Sequence, residues 1–341
     1  MLSSSRPIQQ PIHAEVRPHL DPEYVAFHDK YLQYLVPDDQ KSWDGSARLG
    51  HSSLPPTEST PVAVGEIRDL NLGEFDVRIF TPDGPSPQLG WPVFIWLHGG
   101  GWAVGGINSN NDLCSVICQR ARCVVVTVGY RLAPEHPYPA AFEDAVQAVK
   151  WVCGDEGSAQ LGIDRSRIAV GGTSAGAQLA ASLSLEAARM RPPIRLAFQL
   201  LVVPVIDNTA TASTVWAANR NAPWLTPARM TWYRRMYFVD EASTREWQAS
   251  PSFAPPCLLA KSPRTWIAVA EQDLLAPEGE LYGEQLAAVW KSAGRTDAQV
   301  VVKTYEGSTH SILAMAGILS KGQELLQDTA DRAAEWFHAE L

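Results

Sequence analysis

Apolar and polar positions change their period repeatedly along the chain. In VAVGEIRDL (62–70) and FDVRIFTP (75–82) they alternate in part, with Asn71–Glu74 between them, which predicts a pair of antiparallel strands. PVFIWLH (92–98) is continuously apolar, as a strand buried on both faces must be. A regular rhythm follows: helical NNDLCSVICQRA (110–121), strand CVVVTVGY (123–130), helix PAAFEDAVQAVKWV (139–152), strand RIAVGG (167–172), helix AGAQLAASLSLEAARM (175–190) and strand AFQLLVVP (197–204). It resumes with strand TWIAVAE (265–271), helix EGELYGEQLAAVWKSAG (278–294), strand AQVVVKTYE (298–306) and a closing helix over 322–341. Short unbroken strands alternating with helices predict an α/β fold, with a mostly parallel sheet covered on both faces and the antiparallel pair at one edge.

Two regions depart from this rhythm. Residues 1–20 read as an arm, and DPEYVAFHDKYLQYL (21–35) as an amphipathic helix capped by Asp21 with Pro22 at its first position. Residues 40–61, rich in Ser, Gly and Pro, read as a loop. Residues 207–250 carry Trp216, Trp224, Trp232, Tyr233, Tyr237 and Trp247 and read as a helical cap inserted in the sheet rhythm, with the early helix packed beside it. The expected organisation is therefore an arm and cap helix (1–60), a first core part (61–206), a cap insertion (207–250) and a second core part (251–341).

Composition narrows the function classes. The chain has 341 residues, 45% hydrophobic and 19% charged, enough for a large core. A net charge of −9 without basic blocks disfavours nucleic acid and anionic membrane as partners. The five cysteines show no CxxC pattern or histidine companion, so Cys114, Cys118 and Cys123 are expected in the core and no metal site is expected. No stretch has signal-peptide or membrane-span character, and a cytoplasmic location is expected.

The chemistry starts at Gly172-Thr173-Ser174-Ala175-Gly176, a G-x-S-x-G between a predicted strand and a predicted helix. That context places a serine hydroxyl on a sharp turn at the sheet's C-terminal edge, with glycines where a side chain would collide. The competing reading is a glycine-rich turn with an incidental serine. A serine nucleophile needs a histidine base and an orienting acid, in the chain order Ser, acid, His. Only His310 and His338 follow Ser174; His338 falls inside the last helix, whereas His310 lies in a loop just after a strand. Asp273, just beyond the preceding strand, is the expected acid, with Glu271 as runner-up and Asp207 one strand too early.

Attack on a carbonyl also creates an oxyanion that needs N–H donors already in place. HGGGW (98–102), straight after a buried strand, offers them: Gly100 and Gly101, with the N–H of Ala175, form the expected oxyanion hole. His98 and Gly99 shape the loop. A phosphate-binding loop is disfavoured because no GK[ST] follows.

HGGGW, YRLAPEHPYPAAFED, GTSAG, QDLLAPEGELY and the late THS together resemble, in order, the hormone-sensitive-lipase-like branch of the α/β-hydrolases, over roughly residues 60–340. The resemblance fits the carboxylesterases of that branch better than its lipases. It implies the α/β-hydrolase fold, a Ser174–Asp273–His310 triad, an oxyanion hole of Gly100, Gly101 and Ala175, and loop-holding ion pairs at Arg131, Glu135 and Asp144. Three positions depart from the commoner pattern: Thr173 for Asp, Ala177 for a second Gly, and Ser311-Ile312 for a Gly and an aromatic after the histidine.

The leading expectation is a carboxylesterase-type serine hydrolase acting on small-molecule esters without a cofactor; self-association as a homodimer stays open. An acyltransferase, lactonase or cyclase using the same nucleophile is the alternative. A non-catalytic small-molecule receptor of this fold is disfavoured by the presence of His310. Trp102, next to the oxyanion glycines, and Trp216, Trp224 and Trp232 in the cap are expected to line a confined apolar pocket for short acyl groups, against the alternative that they pack the cap onto the core.

Overall fold

The computed structural model describes residues 6–49, 54–295 and 299–339. The first five residues of the expected arm, residues 50–53 of the expected loop, Ala298 of an expected strand and the last two residues of the closing helix lie outside these.

Eight strands form one sheet: β1 (Glu66–Asn71), β2 (Asp76–Thr81), β3 (Trp91–Leu97), β4 (Val124–Gly129), β5 (Ile163–Thr173), β6 (Phe198–Val202), β7 (Arg264–Ala270) and β8 (Val300–Tyr305). Their order is β1-β2-β4-β3-β5-β6-β7-β8. β1, β2 and β4 pair antiparallel, and the remaining neighbours pair parallel. The apolar runs explain this order. β3 and β6 are buried along their whole length, so they occupy the centre, whereas β1 and β8 alternate in exposure and form the edges.

The helices are α1 (Pro22–Lys30), α2 (Asn111–Ala121), α3 (Ala140–Cys153), α4 (Asp155–Leu161), α5 (Ala175–Arg189), α6 (Pro227–Tyr237), α7 (Pro256–Leu259), α8 (Ala276–Ser292) and α9 (Ser320–His338). α2 and α9 cover one face of the sheet, and α3, α5 and α8 the other. Cys114, Cys118 and Cys123 are buried in the first of these layers. α1 starts where the sequence places it: Asp21 accepts a hydrogen bond from the Glu23 N–H at 2.7 Å, with Pro22 behind it. It ends at Lys30, short of the expected Leu35.

Most differences from the sequence reading lie at element ends. β5 begins at Ile163, four residues early, because polar Asp164–Arg167 mask its entry into the sheet. α4 has Gly157 in its middle and only Leu161 as a buried large apolar side chain, so it carries no helical stripe. Within the expected cap insertion α6 is the α-helix among the described residues; the rest is turns and one 3₁₀ segment.

Candidate active site

The parallel strands all point their C-terminal ends at one edge of the sheet. Register fixes which residues meet there: Leu97 of β3 pairs with Gly172 of β5, Thr173 with Val202 of β6, and Ala270 of β7 with Tyr305 of β8. The loops leaving these strands carry the glycine run, Ser174, Asp273 and His310.

Ser174 sits between β5 and α5 at φ 55, ψ −118, a backbone conformation that side chains rarely adopt. Its N–H donates to the Val202 carbonyl at 2.8 Å, which fastens the turn to the sheet. The flanking glycines are needed for close approach. A Cβ on Gly172 would lie 2.4 Å from Gly176, and one on Gly176 would lie 2.0 Å from the Leu97 carbonyl oxygen.

Three of the expected residues come together here. His310 Nε2 lies 2.9 Å from Ser174 Oγ, and its Nδ1 lies 2.8 Å from Asp273 Oδ2. Asp273 is buried and accepts only through N–H donors: besides the imidazole, its Oδ1 takes the Leu275 N–H at 3.1 Å. A proton on Nδ1, donated to the Asp273 carboxylate, leaves Nε2 free to accept from the serine hydroxyl. Glu271 does not touch the imidazole. It accepts the Gly307 N–H at 2.8 Å and so ties the acid's loop to the histidine's loop. Asp207 caps its own turn at Thr209, and His338 reaches the Ala121 carbonyl at the far end of α9.

Gly100 (φ 119) and Gly101 (φ 58) both take left-handed backbone, and both line the cleft with Ser174 and His310. His98 lies beneath them. It is buried, stacks on Tyr130 at 4.2 Å and shares its Nδ1 proton with the Gly99 carbonyl at 2.7 Å. Burial holds it neutral, pulling its pKa down to about 4. All three residues expected in loop-holding ion pairs are paired: Arg131 with Asp144, at 2.7 Å, and Glu135 with Arg48.

The cleft encloses about 340 Å³. Of the four tryptophans expected on its wall, the structure places only Trp224 there. Trp102 is at φ 58, so its ring turns away from the cleft; it lies parallel to Tyr237 at 4.5 Å and donates to Gln178. Trp216 is buried at the root of the cap, donating its indole N–H to Glu278. Trp232 faces Trp43 on the far side of α6, because the cleft-facing stripe of that helix is Arg229, Met230 and Tyr233. Those three residues were missed, as was Asp38 from the N-terminal segment; Met230 and Tyr233 stand at helical spacing, but Trp232 and Met236 beside them blur which face of α6 points inward. Ser311 lines the cleft, and Ile312 is buried in the core.

Among the described residues no group of three or more His, Cys, Asp or Glu side chains is placed to hold a metal ion, and no helix is long and apolar enough to cross a membrane.

Residues 94–314 match the family model described as alpha/beta hydrolase fold. The chain is 38% identical over 335 residues to an AB hydrolase superfamily protein of Schizosaccharomyces pombe, covering 94% of this chain and 95% of that one. It is 36% identical to Esterase LipI of Mycobacterium tuberculosis, covering 91% and 95%. Among solved structures, the hyperthermophilic esterase from the archaeon Pyrobaculum calidifontis superposes with a TM-score of 0.72 at 31% identity, covering 80% of this chain and 86% of that one.

Proposed function

The chain belongs to the α/β-hydrolase fold family, on its hormone-sensitive-lipase-like carboxylesterase branch, and on that premise we propose that it hydrolyses short-acyl carboxylic esters through Ser174, His310 and Asp273. The observation that carries this reading is the His310 ring, within hydrogen-bond distance of Ser174 Oγ on one side and Asp273 on the other. Ser174 attacks the ester carbonyl while His310 Nε2 takes its proton. Asp273 stabilises the imidazolium, and the proton passes to the leaving alcohol. Water then attacks the acyl-enzyme through the same base and releases the acid. The N–H groups of Gly100, Gly101 and Ala175 hold the oxyanion.

Trp224, Met230 and Tyr233 bound the cleft and support the short-acyl reading. Each methylene that fits contributes ~0.8 kcal/mol of burial, so kcat/KM on p-nitrophenyl esters rises with acyl length until the cleft is filled and then drops. A maximum at ten carbons or more would overturn the short-acyl reading. A fluorophosphonate probe labels Ser174 and no other serine, and Ser174→Ala abolishes hydrolysis with the fold intact. Asp273→Asn lowers kcat by roughly 10⁴. Labelling elsewhere, or an active Ser174→Ala variant, would overturn the assignment of the nucleophile.

A further inference from the structure

Arg48 lies in the segment that the sequence marks only as loop, 55 positions before the nearest residue of the glycine loop it touches. Its guanidinium spends its donors on three acceptors. Nε donates to the Ala103 carbonyl at 2.9 Å, Nη2 to the Ala133 carbonyl at 2.9 Å, and Nη1 and Nη2 both reach the Glu135 carboxylate. The ring of Trp43 lies 5.1 Å from the guanidinium carbon.

Ala103 belongs to the glycine loop itself. Its N–H and that of Val104 both donate to the Gly100 carbonyl, so Gly100 to Val104 close one tight turn. The Trp102 carbonyl in the same turn accepts from the Ala133 N–H at 2.9 Å. Arg48 therefore bridges the two strands of backbone that fix the turn, at carbonyls of fully buried residues. A second line of contact runs through the cap: Trp43 packs on Trp232, Trp232 on Tyr233, and the Tyr233 ring lies where a Cβ on Gly101 would stand. Ala47, next to Arg48, lines the cleft. One short segment thus reaches the glycine loop directly through Arg48 and, by way of Trp232 and Tyr233, through Trp43.

We propose that Arg48 is a positioning residue for the oxyanion hole: the Trp43–Arg48 segment sets the aim of the Gly100 and Gly101 N–H groups, so stabilisation of the transition state depends on it and substrate binding does not. This rests on the reading of those glycines as oxyanion donors in an ester hydrolase. A guanidinium is needed because only a planar fork reaches two carbonyls and a carboxylate at once; an ammonium cannot.

The test uses the full chain with p-nitrophenyl butyrate, a trifluoromethyl ketone that mimics the tetrahedral intermediate, and a matching alcohol as ground-state inhibitor. Arg48→Ala lowers kcat by about 10–100-fold with KM changed less than about threefold, and trifluoromethyl ketone affinity falls in parallel with kcat while alcohol affinity holds. Millimolar guanidinium chloride restores part of kcat in Arg48→Ala, and Arg48→Lys remains impaired. If Arg48→Ala does not fold, Arg48→Met keeps the stem packed on Trp43 and is read in the same way. Unchanged kcat, a loss confined to KM, or a loss of kcat without loss of ketone affinity would each overturn the proposal. A wild-type protein that neither turns over ester nor labels at Ser174 would remove the ester-hydrolase reading and this proposal with it. An active wild type with an equally active Arg48→Ala removes the proposal alone.

Discussion

Gly101 shows how little room the site leaves. A Cβ there would stand 2.2 Å from the Tyr233 ring, at a φ of 58 that favours glycine. Gly101→Ala must therefore push Tyr233 away or shift the loop, and on the proposed reading of Gly101 as an oxyanion donor a shifted loop displaces that donor. The expected loss is about 10²–10³ in kcat, the scale of removing one donor; kinetics beside a circular dichroism spectrum of the folded variant check it. Adjacency along the chain says nothing comparable about the next residue. Trp102 follows the donors directly, yet its own left-handed backbone sends the ring into the core. A reading from neighbourhood alone places it in the pocket, because the sequence holds no signal for the dihedral.

Two buried titratable groups set opposing pH slopes. His98 is held neutral, with its pKa lowered from 6.5 to about 4, so its stabilising contribution is complete above 6.5 and is lost as the pH falls through 4. Burial pushes the Glu278 carboxyl the other way, from 4.5 up to about 7, so its contribution falls as the pH rises from 4.5 to 7. Between pH 4.5 and 6.5 the two slopes oppose each other. His98→Gln is expected to make stability fall more with rising pH than in the wild type, and Glu278→Gln to make it rise more, each by up to about 3 kcal/mol across the window. Denaturant midpoints at half-unit pH steps test this; parallel curves for all three proteins would refute it.

Among elements, the cap depends most on contacts that the sequence hides. Its root is pinned by one carboxylate near the start of α8: Glu278 accepts the Ile206 and Asp207 N–H groups at 2.6 and 2.7 Å and the Trp216 indole N–H. The Arg234 guanidinium from α6 covers the Trp216 ring at 4.4 Å. Asn219, from the same stretch, donates to the Glu271 and Asp273 carbonyls, so the cap root also supports the loop of the acid. Glu278→Ala strands these donors beside the half-buried Arg234 guanidinium and is expected to cost about 3–5 kcal/mol, more than Glu278→Gln, whose amide oxygen still accepts on one side. Thermal unfolding of the two variants separates them. The strands were readable because burial on both faces demands unbroken apolar runs. The loops that carry Ser174, Asp273 and His310 were readable because each follows such a run. The cap's place was readable but its inner face was not, because Trp232 and Met236 put apolar side chains beside the Met230–Tyr233–Tyr237 stripe and Arg229 shares the cleft-facing side.

At the scale of the whole molecule, the N-terminal segment is built into the site. The Asp21 N–H donates to the Gly307 carbonyl, three residues before His310. Glu23 accepts from the N–H and hydroxyl of Ser320 at the start of α9. Between these anchors Tyr24 and Leu32 form a small core with Met315 and Leu319, on the segment that carries the chain from His310 into α9. The sequence places the early helix beside the cap, and Trp224 of the cap does pack against this small core, but the pairings with Met315, Leu319 and Ser320 have no local signature. The histidine loop is thus clamped from inside by the Glu271–Gly307 bond and from outside by α1. Removing residues 1–36 is expected to expose the Met315 and Leu319 side chains, lower Tm by several degrees, and slow fluorophosphonate labelling of Ser174, because the base loses its outer support while the serine turn stays fastened to β6. The comparison with Glu271→Gln discriminates between the two clamps: that variant is expected to slow labelling with a smaller fall in Tm, since it weakens one hydrogen bond and exposes no core. A truncated chain that matches the full chain in both Tm and labelling rate would show that the inner clamp alone holds His310 in place.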